Sequence, residues 1–185
     1  MNINWVLAGS IVLDPTIDTK ELKNIGSLWG SWRTWRSCQT DNVICNDSIK
    51  SAELIKREFQ KTCNFYIPNS VYQQLNRPTG VRLYEGEFLH DVDHQEDIVA
   101  MHLAAGSSDI ILLLGFDLTE KQLNPDKLLE HRTRNYWGLI RQAIMDTGHV
   151  QWVLVDHPGP IMKNLVDLPN LSTDNMENVL TFSGS

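Results

Sequence analysis

The chain has 185 residues, enough for one domain that buries a sizeable core without disulfide or metal staples. Its 42 % apolar and 21 % charged residues exclude disordered, collagen-like and fibrous classes. With 16 Lys and Arg against 23 Asp and Glu the net charge is −7, which argues against a duplex nucleic-acid partner, because neutralising a phosphate backbone needs a basic face.

In chain order the apolar pattern alternates between strand-like and helix-like periods. Residues 5–8, continued by 11–13, read as a first strand, and 19–29 as a helix with Leu22, Ile25 and Trp29 on one face. A second strand at 42–45 ends at Asn46-Asp47. The helix after it is capped by Asp47 or Ser48, with Ile49, Ala52, Ile55 and Phe59 as its apolar face and Glu53–Arg57 as an outer ion pair. Strand 63–67 stops at Pro68, a short helix covers 71–75, and Arg77-Pro78-Thr79-Gly80 is turn chemistry before strand 81–84. A helix at 96–105 stops at Gly106. Strand 109–114 is apolar on both faces, the mark of an inner strand in a covered parallel sheet. A helix at 135–147, a buried strand at 150–155 and a capped helical pattern within 172–182 complete the chain. Strands alternating with helices imply right-handed crossovers. The expected fold is a single α/β domain over 1–185: a doubly wound, mostly parallel, Rossmann-like sheet with helices on both faces.

The longest apolar stretch, Ile110–Leu114, falls far short of the roughly 20 residues that span a bilayer, so no membrane partner is expected. The early apolar run has no preceding Lys or Arg and is followed by Asp14-Pro15, unlike a secretory leader. Cys38, Cys45 and Cys63 are odd in number and include no Cys-x-x-Cys pair, which disfavours a disulfide framework or zinc knuckle. These features point to a reducing, cytoplasmic setting.

Ligands of such sheets bind beyond the carboxyl ends of the strands, so the residues following each strand carry the functional argument. They are Asn46-Asp47, Gly115-Phe116-Asp117 and Asp156-His157-Pro158-Gly159. On one shared rim they would form a crevice lined by carboxylates and an imidazole; the plainer reading makes them turn formers and caps. Residues 26–37 hold Trp29, Trp32 and Trp35 at spacing three, with Arg33 and Arg36 between small residues. Such a segment can offer a stacking wall and offset phosphate charge, although a buried helical face with solvated arginines accounts for the same pattern and is the favoured reading. Histidines four apart in His90-Asp91-Val92-Asp93-His94 can share a metal, yet a solvated acidic loop is favoured there. His131, Arg132 and Arg134 precede the expected helix at 135 and would strengthen an anion site at its start, the alternative being a charged surface loop.

Residues 97–159 carry a small-residue helix (Ala100-Met101-His102-Leu103-Ala104-Ala105-Gly106), then Asp109 to Leu118 with Gly115-Phe116-Asp117-Leu118, a Tyr-containing helix, and the strand ending in Asp156-His157. This arrangement, about a third of the chain, resembles the Rossmann-like family of motility-accessory glycosyltransferases and 6-hydroxymethylpterin diphosphokinase-like proteins, akin to bacterial sialyltransferases. The resemblance implies a nucleotide or nucleotide-sugar site to which Gly115 and Asp117 contribute. Gln95-Glu96-Asp97 stands where that family has a Gly-rich helix start. The whole sequence is also similar to proteins of tailed phages, a likeness that implies no activity.

The leading expectation is a nucleotide or nucleotide-sugar binding protein, with sugar transfer as its activity and no cofactor assigned. In it His157 is the general base, because imidazole suits proton transfer near neutrality, and Asp117 orients the donor. Gly115, Asp47 and Asp156 line the ligand, and Arg33 or Arg36 offsets leaving-phosphate charge. The rival expectation is a non-catalytic interaction or virion-associated module whose tryptophan-rich surface meets a protein partner or a second copy. A third is a metal-dependent hydrolase built on His90, Asp91 and His94.

Overall fold

The computed structural model describes residues 1–9, 18–86, 95–119 and 127–181. Eight strands form one sheet: β1 (Ile3–Leu7), β2 (Ser27–Ser31), β3 (Asn42–Ile44), β4 (Asn64–Pro68), β5 (Arg82–Tyr84), β6 (Ile110–Leu114), β7 (Gln151–Val155) and β8 (Leu171–Asp174). Every pairing is parallel, in the order β5-β4-β3-β2-β1-β6-β7-β8. The helices are α1 (Thr19–Ile25), α2 (Trp32–Cys38), α3 (Ser48–Lys56), α4 (Asn69–Gln74), α5 (Gln95–Ala105), α6 (Lys127–Asp146), α7 (Lys163–Val166) and α8 (Met176–Thr181), with a 3₁₀ turn at Phe59–Lys61. The doubly wound α/β architecture is as the alternating pattern requires.

Strand side chains alternate between two covered faces, which is why β6 and β7 are apolar nearly throughout. One face joins Val6, Trp29, Ile111, Leu113, Trp152 and Leu154 to the small and apolar stripes of α5 and α6, among them Ala100, Met101, Ala104, Ile140 and Ile144. The opposite face packs Trp5, Leu7, Leu28, Leu112 and Leu114 under Leu22 of α1 and Val179 of α8. Farther along that face, Val43, Phe65 and Ile67 meet Phe59 and Val71. Near the amino-terminal ends of the strands, on the face that carries Trp29, runs a polar row. Arg82 Nε donates to Asn64 Oδ1 (3.1 Å), Asn64 Nδ2 to Asn42 Oδ1 (2.9 Å) and Asn42 Nδ2 to Ser27 Oγ (2.9 Å). Asn4 Nδ2 likewise reaches Ser108 Oγ at 2.7 Å.

Four local expectations differ from the structure. The helix read at 19–29 ends at Ile25, and 27–31 is an inner strand. At Gly26 an added Cβ would lie 2.1 Å from the carbonyl oxygen of Ile3, so β1 and β2 approach over a residue without a side chain, and a second small residue, Gly30, lies against Thr34. The face expected on α3 is not the buried one: Ile49 is 83 % exposed and Ala52 exposed, whereas Ser51 is buried. Glu58, at φ +58°, ends that period and places Phe59 in the separate 3₁₀ turn. Helix α6 begins at Lys127, so His131, Arg132 and Arg134 lie within it and not before its start. Residues 171–174 form an edge strand ahead of the short terminal helix. The expected strand continuation at 11–13 and the cluster His90, Asp91, Asp93 and His94 fall outside the described residues. Among the described residues no helix is long and apolar enough to cross a membrane.

Candidate functional site at the carboxyl ends of the strands

Strand order reverses between β1 and β6: the chain proceeds from β1 outward to β5 on one side and from β6 outward to β8 on the other. In open α/β sheets such a reversal is the place where ligands bind, above the carboxyl ends of the two strands. The ladder runs to its edge, where the Ala8 N–H donates to the Leu114 carbonyl at 3.0 Å. Beyond it the backbone is carried by two glycines, Gly9 after β1 and Gly115 after β6. Gly115 is at φ +80°, a left-handed conformation that costs glycine little.

Gly9 is held from above by Asp97, in the first turn of α5. The Gly9 N–H donates to both carboxylate oxygens, at 2.9 and 3.1 Å, and the Tyr136 hydroxyl of α6 donates to Oδ2 at 3.1 Å. Asp97 is only 1 % exposed, and burial pushes its carboxyl up to about 7, with the Gly9 and Tyr136 hydrogen bonds pulling the other way. Tyr136 is pushed well above the ordinary tyrosine range by burial first and the adjoining carboxylate second. On the β2 side the Thr34 hydroxyl donates to the Ala8 carbonyl at 3.4 Å, which sets the first turn of α2 beside the same connection. This buried carboxyl at the strand-order reversal makes this end of the sheet the candidate site.

Across the divide, Gly115 and Asp117 follow β6, and Asp156 and His157 follow the neighbouring β7. Asp117 Oδ1 accepts from the Thr119 N–H (3.2 Å) and hydroxyl (2.7 Å). Both ring nitrogens of His157 are engaged by the backbone: Nε2 accepts from the Leu118 N–H at 3.0 Å, so Nδ1 carries the proton and donates to the Gly159 carbonyl at 2.6 Å. His157 thus ties the connection after β6 to the one after β7. Asp156, at φ +50°, accepts from the Met176 N–H at 2.8 Å and fixes the start of α8. An open hollow of about 560 Å³ is lined by Asp156, His157, Thr173, Asp174 and Asn175. A second cavity of about 360 Å³, which shares Asp174 with the first, lies between α1 and α8 with Ile3, Ile110, Leu112 and Val153 in its apolar lining.

The remaining expected residues lie on the β2–β3 side. Asp47 caps α3, accepting from the Lys50 N–H at 2.8 Å. The three tryptophans of residues 26–37 do not make one wall, because Trp29 is on a strand. Trp29 packs against Tyr66 on the α5 face (centroids 5.4 Å apart), and Trp35 packs edge-on to Phe59 (4.7 Å). Trp32 stands apart, with the cationic centres of Arg33, Arg36 and Lys50 at 5.3, 5.4 and 4.8 Å from its ring centroid. Trp5, Trp29 and Trp152 are core residues and Trp32, Trp35 and Trp137 half-buried, so the described surface presents no fully exposed tryptophan anchor.

Burial raises the thiols of Cys38, Cys45 and Cys63 each to about 11, which leaves them protonated near neutrality and poor nucleophiles. Among the described residues no group of three His, Cys, Asp or Glu is placed to hold a metal ion. Sequence reasoning missed Asp97, Tyr136 and Lys50 as site residues. Asp97 had a signal: it lies in helical register with Ala100, Met101 and Ala104, all fully buried, so its carboxyl had to be inside. No protein-family model, curated protein or solved structure matches this chain.

Proposed function

We propose that the crevice between β1 and β6 binds a nucleotide or nucleotide-sugar, and that sugar transfer is the reaction it serves. The observation carrying this reading is the pair of glycine-borne connections at the strand-order reversal, one of them fixed by a buried carboxyl. Bare backbone lets a phosphate or ribose approach closely, and the fixed Gly9 peptide keeps that surface ready-shaped. In this reading Asp117, two residues after Gly115, accepts from ribose or sugar hydroxyls. Cations on the β2 side face the phosphate end and offset charge on the departing nucleotide. His157 holds Asp117's segment in place through Leu118 and is a positioning residue.

The test is calorimetric titration of the intact chain with CDP, UDP, GDP and ADP and their sugar conjugates, alongside thermal melts. A ligand present at a hundred times its Kd stabilises by about 2.7 kcal/mol, which for this size raises Tm by about 5–10 °C. Asp117→Asn should weaken that ligand at least tenfold while keeping the unliganded Tm near wild type. No heat and no Tm shift with any nucleotide at about 5 mM would refute the binding reading, since even weak specific sites register there. Nucleotide-sugar binding without release of free nucleotide in the presence of acceptor alcohols would refute the transfer step alone.

A further inference from the structure

We propose that Arg33, Arg36 and Lys50, gathered round the Trp32 indole beside the carboxyl ends of β2 and β3, form an anion site that receives a phosphate or diphosphate group. Two elements converge on the ring: α2 supplies Trp32, Arg33 and Arg36, and α3 supplies Lys50. Each cationic centre is within 5.4 Å of the same centroid, so three like charges are concentrated in a chain whose net charge is −7. Among the described residues Glu53 is the carboxylate that pairs with this cluster, and it is shared: Oε2 is 2.7 Å from Lys50 Nζ and Oε1 is 2.9 Å from Arg57. Neither Arg33 nor Arg36 forms an ion pair among the described residues. The cluster therefore carries surplus positive charge that an incoming anion would compensate.

The indole also orders these groups in advance. A cation over an aromatic face gives up motion before any ligand arrives, and Lys50, whose side chain is only 18 % exposed, is largely pinned there. Guanidinium forks match phosphate oxygens in pairs, and the ammonium adds a point charge, a combination suited to a compact dianion. The site adjoins the β1–β6 crevice. Thr34, next to Arg33 in sequence, bonds the Ala8 carbonyl, and the charge of Arg33 is felt by Asp97. That the phosphate belongs to a nucleotide rests on the function proposed above; the anion site itself rests on the cation cluster.

The experiment is calorimetry of the intact chain with inorganic phosphate and with pyrophosphate at low ionic strength, on wild type, Arg36→Gln, Lys50→Gln and, as control, Lys56→Gln. Lys56 is exposed on the same helix and has no contact with Trp32 among those described. Pyrophosphate should bind wild type and the control alike, lose affinity as salt rises, and bind Arg36→Gln and Lys50→Gln about tenfold more weakly. Unchanged melting curves would show that these variants are folded. Absence of pyrophosphate binding at about 10 mM, or equal weakening by Lys56→Gln, would overturn the site. If nucleotides bind while pyrophosphate is ignored and Arg36→Gln is neutral, this inference fails and the nucleotide reading stands. If pyrophosphate binds as described while nucleotides bind no tighter than it does, the anion site stands and the nucleotide reading fails.

Discussion

Replacing Asp97 by Asn should change how stability depends on pH more than it changes stability at any one pH. The amide keeps the shorter bond, its carbonyl still accepting the Gly9 N–H, gives up the second Gly9 contact, and lets its NH₂ donate to the Tyr136 oxygen in place of the bond that hydroxyl now gives. What it removes is a proton equilibrium. Asp97 ionises near 7 in the native chain against about 3.9 when unfolded. Between those values the native state holds a proton that the unfolded chain has released. The stabilisation is therefore complete below about pH 3.9, declines as pH rises, and is lost once pH passes about 7. At about 1.4 kcal/mol per tenfold in proton affinity the whole window is worth about 4 kcal/mol, more than half of it between pH 5 and 8. Urea titrations of wild type and Asp97→Asn at pH 5, 6, 7 and 8 read this directly. The stability of the variant relative to wild type should rise by about 2–3 kcal/mol over that range, or about 1 M in urea midpoint, while titrating groups remote from Asp97 cancel in the difference. Curves that stay parallel within about 0.5 kcal/mol would refute the burial argument.

Three other outcomes follow from single contacts. His157→Ala leaves the N–H of the buried Leu118 without its acceptor, which should cost about 1–3 kcal/mol and lower Tm by about 3–10 °C; an unchanged melt would mean the two connections are not tied there. Gly26→Ala sets a methyl group 2.1 Å from the Ile3 carbonyl oxygen and should cost on the order of 3 kcal/mol or abolish soluble expression, whereas a Tm within a few degrees of wild type would contradict the close approach of β1 and β2. In iodoacetamide labelling near neutral pH followed by mass spectrometry, the buried Cys38 and Cys45 should react only after denaturation, with half-buried Cys63 ahead of them; rapid native labelling of Cys45 would show that its thiol is reachable and ionised.

The central strands were legible because both of their faces are covered. Ile110–Leu114 and Gln151–Val155 carry apolar residues at nearly every position, a pattern that neither an amphipathic helix nor a half-exposed strand produces. β2 was hidden for the opposite reason. Ser27 serves the polar row, Ser31 caps α2 and Gly30 lies against Thr34, so the strand has little apolar pattern, and Leu22, Ile25 and Trp29 happen to continue a helical period across the break at Gly26. β8 is a half-exposed edge strand with the sequence Leu-Ser-Thr-Asp, so it has no apolar alternation to read. For the site, the residues following β6 and β7 were named from chain order, but the partners of His157 were not. Leu118 N–H and Nε2 meet only because β6 and β7 are neighbours, a fact of strand order that no local pattern encodes. Lys50 was unreadable in the same sense: its place over Trp32 depends on β2 and β3, which precede α2 and α3, being neighbours. Asp97 was readable from its register alone.

The polar row from Ser27 through Asn42 and Asn64 to Arg82 bears on how this half of the sheet avoids mispairing. Parallel strands as short as β3 and β5 have few ladder bonds to fix their alignment, and apolar side chains tolerate sliding. Three amide-centred links joining four successive strands do not. Displacing Asn42 by a single residue would flip its amide toward Phe65 and Ile67, apolar residues of the opposite face, while stranding Asn64 beside it. The asparagines act as an index mark, and through it β2 and β3 deliver Trp32 and Lys50 to matching heights.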